Sequence, residues 1–263
     1  MVAVRSFHPV LVLALAVACL LGAASASPAA DWSKIRIGTE GAYAPFNYRD
    51  AMGKLQGFDI DVAQALCDRI GARCEFVTLP LDGIILALQN NQIDAIATSM
   101  SITEKRKKVV DFTDRYYTNY RRFLSCSGRL VTDVSPEALK GKAVGTQGAT
   151  ASDDYLETFY KTADIRLYKS MDEAYQDIAA GRLDAMLAGE TTSYSFMQTD
   201  AGKACKFVGD RVANEKLFGA GVGIALRKTD GDLRDKLNAA LKQVLADGTY
   251  EAISKKYFPF PIY

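Results

Sequence analysis

A carboxylate, a tyrosine ring and an arginine in this sequence could together hold a small zwitterion. Glu40 follows a short apolar segment, and Tyr43 comes three residues later. An acid pairs with an ammonium or guanidinium, and the face of a tyrosine attracts the same cation. Farther on, the run Thr98 to Arg106 supplies four hydroxyls (Thr98, Ser99, Ser101, Thr103) and ends in an arginine. Ser101 and Glu104 have the Ser-x-x-Glu spacing of a capping box, so a helix is expected to open there. Free N–H groups at a helix start favour an anion, and Arg106 could grip a carboxylate through two parallel bonds. The turn Gly145-Thr146-Gln147-Gly148-Ala149-Thr150 could offer N–H groups to the same anion from the opposite side. Each feature also has a plainer reading: Tyr43 as a core ring, Glu40 as a solvated turn acid, Arg106 as a surface arginine behind a helix cap. No Walker pattern is present, so a nucleotide phosphate site is not supported.

The elements that must position these residues alternate between strand and helix. Ile35–Thr39 reads as a short strand, and Ile60–Ile70 as a helix stopped by Gly71. Glu75–Leu79 reads as a strand, Leu81–Gln89 as a helix ending at Asn90-Asn91, and Ile93–Ala97 as a buried strand. That alternation predicts an α/β fold with largely parallel sheets. The chain also repeats itself. GTEGAY at 38–43 returns as GTQGAT at 145–150, and ALQNNQIDAI at 87–96 returns as IAAGRLDAM at 178–186, in the same order. Two similar α/β lobes are therefore expected. Both turns would lie at carboxyl ends of strands, where open α/β sheets hold ligands, so the lobes would face each other across a cleft. Leu233, Leu237, Leu241 and Leu245 mark a long amphipathic helix near the end of the chain, expected to pack back on the first lobe.

Composition narrows the chemistry. Arg5, the apolar run Pro9–Leu21 and Ala24-Ser25-Ala26 have the order of a secretory signal peptide. Cys19 lacks the leucine three residues upstream that a lipoprotein site would have, so cleavage is expected after Ala26. The run is short for a membrane span, which needs about 20 residues. The 32 Lys and Arg, one of them Arg5, balance 31 Asp and Glu, and no extended basic run is present, which argues against nucleic acid. Lys105–Lys108 reads as a solvated face. The single histidine, His8, lies in the export segment. Histidine-dependent nucleophile systems and His-containing zinc sites are thereby excluded from the exported chain, while carboxylate catalysis remains allowed. Cys67 and Cys74 flank a short segment and suit a disulfide in an oxidising compartment. Cys126 and Cys205 are available for a second bridge, although three pairings are formally open. No metal or cofactor is expected.

The segments GTEGAYAPFNY (38–48), GFDIDVAQALC (57–67), DAIATSMSITEKR (94–106), DFTDRYY (111–117), AGRLDAM (180–186), GVGIALRK (221–228) and DGTYEAISKKYF (247–258) resemble the polar amino-acid-binding proteins of ABC importers. The branch they resemble most is the one binding histidine or lysine, arginine and ornithine, over essentially the whole exported chain. The resemblance implies a monomeric periplasmic clamshell of type II. Its lobes would be 27–118 plus 214–263 and 119–213, joined by two crossings near Thr118–Arg121 and Asp210–Phe218, and it would close on its ligand before docking on an inner-membrane permease. It further implies that Arg106 holds the ligand carboxylate, helped by Ser99, Ser101 and Thr150. Glu40 would take the side-chain cation and Tyr43 would stack on the aliphatic part. Thr98, Thr146 and Gln147 would line the pocket. Cys67–Cys74 matches a disulfide of that branch.

Three positions depart from the pattern. Leu81 stands where Phe or Trp is usual, and one aromatic wall is lost. Ala149 replaces a common Ser or Gly. Gly189 stands where the family has the Asp that pairs with the ligand α-ammonium, and the neighbouring acid, Glu190, is the only carboxylate beside it. The expected ligand is therefore a cationic amino acid of the arginine, lysine, ornithine or histidine type, or an N-substituted derivative such as an opine. The expected role is binding rather than catalysis. The alternatives are a cyclohexadienyl dehydratase-like enzyme, using Glu40 or Glu190, and a ligand sensor for a membrane receptor.

Overall fold

The structure, a computed structural model, describes residues 31–263 together with Val2. Apart from Val2, the expected export segment, with His8 and Cys19, lies outside the described residues. In chain order the first sheet begins with β1 (Lys34–Thr39). A small antiparallel meander follows, of β2 (Ala42–Tyr43), β3 (Asn47–Arg49) and β4 (Leu55–Gln56). Next come helix α1 (Phe58–Arg69), β5 (Arg73–Thr78), α2 (Leu81–Gln89), β6 (Ala95–Ile96), the one-turn α3 (Glu104–Lys107) and β7 (Asp111–Phe112). The chain then crosses to a second sheet. Its elements are β8 (Arg121–Cys126), β9 (Ala143–Gln147), α4 (Ala151–Phe159), β10 (Asp164–Tyr168), α5 (Met171–Ala179), β11 (Ala185–Gly189), α6 (Glu190–Met197) and β12 (Cys205–Val212). After α7 (Glu215–Phe218) it returns to the first sheet as β13 (Ala225–Leu226) and ends with α8 (Gly231–Ala246) and α9 (Thr249–Tyr257).

The two sheets have one topology. The first runs β5-β1-β6-β13-β7 and the second β10-β9-β11-β8-β12. In each, the first three strands are parallel, and the fourth pairs antiparallel with both of its neighbours. That fourth strand is delivered by a crossing: β8 is the first strand after the outward one, and β13 is the first after the return. Two structural neighbourhoods with the same strand order agree with the two-lobed α/β reading of the sequence.

The repeated residues do the same work in both sheets. Gly38 and Gly145 lie under Ile93 and Leu183, whose Cδ1 atoms would overlap any Cβ placed there. Asp94 accepts from the Arg36 backbone N–H at 2.9 Å, and Asp184 accepts from that of Ala143 at 2.8 Å. Asn91 and Gly181, at the ends of α2 and α5, both have left-handed φ, 57° and 72°. That conformation is easy for Gly and tolerable for Asn.

Helices cover both faces of each sheet. α1, α8 and α9 bury Phe58, Leu66, Leu233, Leu237, Leu241 and Ile253 against Ile35 and Ile37, so the terminal helices do pack on the first sheet. α2 buries Ile84 and Leu88 on the other face against Ile96 and Phe112. Around the second sheet, Ala174, Tyr175 and Ile178 pack on one side, and Leu139, Leu156 and Tyr160 on the other. Both disulfides form. Cys67–Cys74 ties α1 to β5, and Cys126–Cys205 joins two residues directly opposed on β8 and β12.

Candidate functional site

A cavity opens where the carboxyl ends of β1 and β9 meet. Its walls include Glu40, Tyr43, Leu81, Thr98, Ser99, Ser101 and Arg106 from the first sheet side, and Gln147, Thr150 and Gly189 from the second. Ten of the residues singled out in the sequence are therefore gathered in one place. The two repeat turns meet directly: Gln147 Nε2 donates to Glu40 Oε1 at 2.5 Å across the cleft. Two further bonds span it, from Arg106 Nη2 to the Ala149 carbonyl at 3.0 Å and from Lys105 Nζ to Asp154 at 2.6 Å. These contacts hold the walls together, and the cavity encloses about 40 Å³.

The hydroxyl wall is held by a buried carboxylate. Asp59, in the first turn of α1, is 1% exposed. It accepts from Asn47 Nδ2 at 2.8 Å, from Ser99 Oγ at 2.8 Å and from Tyr116 Oη at 2.6 Å. Burial pushes its carboxyl above the usual range, and these three bonds oppose the push. Asn47 in turn accepts from the Gly41 N–H, and Thr98 Oγ1 accepts from the Glu40 N–H at 3.0 Å. The turn carrying Glu40 is thus fastened to the strand end carrying Ser99. Ser99 takes a left-handed φ of 54°, which is uncommon for a serine and is held in place by its bond to Asp59.

The cavity lining carries charges of both signs. Burial is the main cause that pushes the Glu40 carboxyl up to about 7; the Gln147 bond opposes it and the Asp172 charge adds to it. Arg106 is held down to about 10 by burial and then by the charge of Arg121. Arg106 Nη1 donates to the Ser101 carbonyl at 3.1 Å. Arg121 is 6% exposed, donates to the Asn119 carbonyl at 2.8 Å and to Ser101 Oγ at 3.0 Å, and also lines the cavity.

Some expectations land elsewhere. The cap of α3 is Thr103, whose Oγ1 accepts from the Arg106 N–H; Ser101 precedes the helix and does not cap it. Thr146 is fully buried, and its hydroxyl donates to the Leu187 carbonyl at 2.9 Å, so it faces its own sheet. Glu190 turns away from the cavity to Arg211 at 2.7 Å and Arg122 at 3.4 Å. Strand alternation explains Thr146, since Gln147 beside it faces the cleft; Glu190 opens α6, where the chain leaves β11. A Cβ on Gly189 would stand 2.8 Å from Asn119 Oδ1 and 2.9 Å from Tyr43 Oη. The space a side chain would need there is taken by these two polar tips. Sequence reasoning misses Arg121, because it reads as part of a crossing. The signal that could find it is the arginine pair that opens RRFLSC, since alternation along a strand turns one of the two inward. Met100, Ala151, Ser152 and Met171 complete the walls. Among the described residues no group of His, Cys, Asp and Glu is placed to hold a metal ion.

The model of the bacterial extracellular solute-binding proteins, family 3, matches residues 35–260. The histidine-binding periplasmic protein of Escherichia coli K12 is 43% identical over 258 residues, 96% of this chain and 98% of its own. The L-arginine-binding protein of Pseudomonas aeruginosa is 41% identical over 254 residues, 95% of this chain and 98% of its own. Among solved structures, an ancestral arginine-binding protein bound to arginine matches with a TM-score of 0.79 at 36% identity, over 86% of this chain and 98% of that one.

Proposed function

The chain belongs to the bacterial extracellular solute-binding proteins of family 3, and from that premise we propose that it captures a basic amino acid, or an N-substituted derivative of one, and delivers it to an ABC transporter permease. The observation that carries the reading is that one cavity is lined by both a carboxylate, Glu40, and a guanidinium, Arg106. A ligand carboxylate bonds Arg106 and the neighbouring Ser101 and Thr150; its side-chain cation displaces the Gln147 amide from Glu40; Tyr43 lies along its aliphatic stem. We take the crossings between β7 and β8 and between β12 and β13 as the hinge, with lobes of 27–118 plus 214–263 and 119–213. Two disulfides and the periplasmic relatives support an oxidising location outside the cytoplasm.

A melting screen of the exported chain tests this. A ligand at 100 times its Kd adds about 2.7 kcal/mol, a readable shift. Arginine, lysine, ornithine, histidine or an N-substituted relative should raise the melting temperature, and silence across that whole set would overturn the reading. A second reading, an enzyme of the dehydratase kind, would use Glu40 as its acid, a carboxylate that lines the cavity and is pushed up to about 7 by burial. Turnover of prephenate or arogenate would establish it.

A further inference from the structure

Two guanidinium groups at one end of the cavity have no acid to balance them. Arg106 and Arg121 bond only to carbonyls and one hydroxyl, and among the described residues no carboxylate lies within ion-pair distance of either. Asp154, whose charge reaches Arg106, is itself paired with Lys105. Burying one unpaired charge is costly, and two like charges side by side cost more. The carboxylate of a simple amino acid answers one of them.

Arg121 is held to face its site. It heads β8 directly opposite Gly189 on β11, and its guanidinium lies 5.6 Å from the centre of the Phe218 ring. Its bonds to Asn119 and Ser101 use only part of a five-donor fork. The absent side chain at Gly189 removes any protein acid from that spot. A second cavity, of about 350 Å³, shares Ser101 and Arg121 as walls; Arg115, Arg211 and Glu215 also line it, Arg211 being paired with Glu190, so there is room beyond Arg121 for a substituent.

We propose that Arg121 forms a second anion subsite. The preferred ligand, on the reading of the cleft given above, is then a basic amino acid whose α-nitrogen carries a carboxyl-bearing substituent. One carboxylate lies on Arg106, the second on Arg121, and the side-chain cation on Glu40. This accounts together for the two unpaired arginines and for the glycine where an ammonium partner would otherwise stand.

The test is titration calorimetry with three ligands on the full exported chain: arginine, Nα-methylarginine and Nα-(carboxymethyl)arginine. The wild type should bind the carboxymethyl compound at least tenfold more tightly than the other two. In Arg121→Gln that preference should collapse to less than threefold, and Arg121→Lys should restore part of it. If the methyl compound binds as well as the carboxymethyl one, or arginine binds best, the second subsite is overturned while the basic-ligand reading survives. If none of the three binds, nor any other basic amino acid, that underlying reading fails. The wild-type series decides the matter even if Arg121→Gln does not fold.

Discussion

The two lobes share a scaffold but not a chemistry. Their sheets have the same strand order, the same glycine beneath a branched side chain, and the same aspartate clamping a backbone N–H. The equivalent turn positions carry Glu40 in one lobe and Gln147 in the other, and these meet across the cleft. The aspartates differ too. Asp94 also binds the Arg36 side chain at 2.7 Å and Arg227 at 3.2 Å, whereas the side-chain partner of Asp184 is Arg129 at 3.5 Å. Burial pushes the Asp94 carboxyl up, but the Arg36 and Arg227 bonds outweigh it and hold it below the usual range. A repeated fold thus preserves what shapes the strands, while the strand tips are free to diverge into a ligand code.

Four experiments test how far the two lobes differ. The largest effect concerns the disulfides, which span 7 residues in the first lobe and 79 in the second. On the chain-entropy account, the paired change Cys126→Ser with Cys205→Ser should cost about 4.5 kcal/mol, and Cys67→Ser with Cys74→Ser about 2.4 kcal/mol. Urea denaturation reads both; equal losses would count against loop length as the cause. Next, Asp94→Ala removes the acid that Arg36 shares with Arg227, which keeps Asp230 at 2.7 Å, and should cost about 3 kcal/mol, against about 1.5 kcal/mol for Asp184→Ala, which frees chiefly one N–H. Matching values would mean the aspartates are interchangeable.

The third contrast is between Glu40 and Gln147. Glu40→Gln removes the anionic partner of a charge-assisted hydrogen bond and should weaken a cationic ligand about 100-fold, while Gln147→Leu should weaken it by less than about tenfold. The sign with pH follows from a carboxyl raised to about 7. Its proton is favoured in the folded, ligand-free protein, so its contribution to stability is full below about 4.5 and fades as pH rises through 7. A bound cation favours the ionised form. Binding at pH 7 should therefore release about half a proton, seen as a buffer-dependent calorimetric enthalpy, and affinity should fall as pH drops below 7. No proton release would show that Glu40 is already ionised. The smallest effect is Lys105→Ala. Its bond to Asp154 spans the cleft but is exposed, so affinity should change less than about threefold, and less still at high salt.

Much of the scaffold was legible because repeats and punctuation have local physical causes. Gly38, Gly145, Gly181 and Asn91 mark places where the backbone or a neighbour admits little else, and α2 spans Leu81–Gln89 as its pattern predicts. The site was legible where a residue lies at a strand tip, as Glu40 and Gln147 do. It was not legible where one step along the chain redirects the side chain. Thr146 and Glu190 sit beside residues that line the cavity, yet they face away from it. Nor was Arg121, whose place depends on pairing with Gly189, 68 residues later in the chain. Such register is a property of the assembled sheet, not of a local window.

The Cys126–Cys205 bridge also governs what a single backbone cut can release. It links the first strand of the second lobe to its last, so the intervening polypeptide forms a closed covalent ring, inside which β9, β10 and β11 all lie. A protease that cuts once anywhere within that ring produces no separate fragment until a reductant is added. The half of the cleft carrying Gln147 and Gly189 would stay tethered to the rest after such a nick. The bridge thus keeps the second lobe in one covalent piece after a single cut.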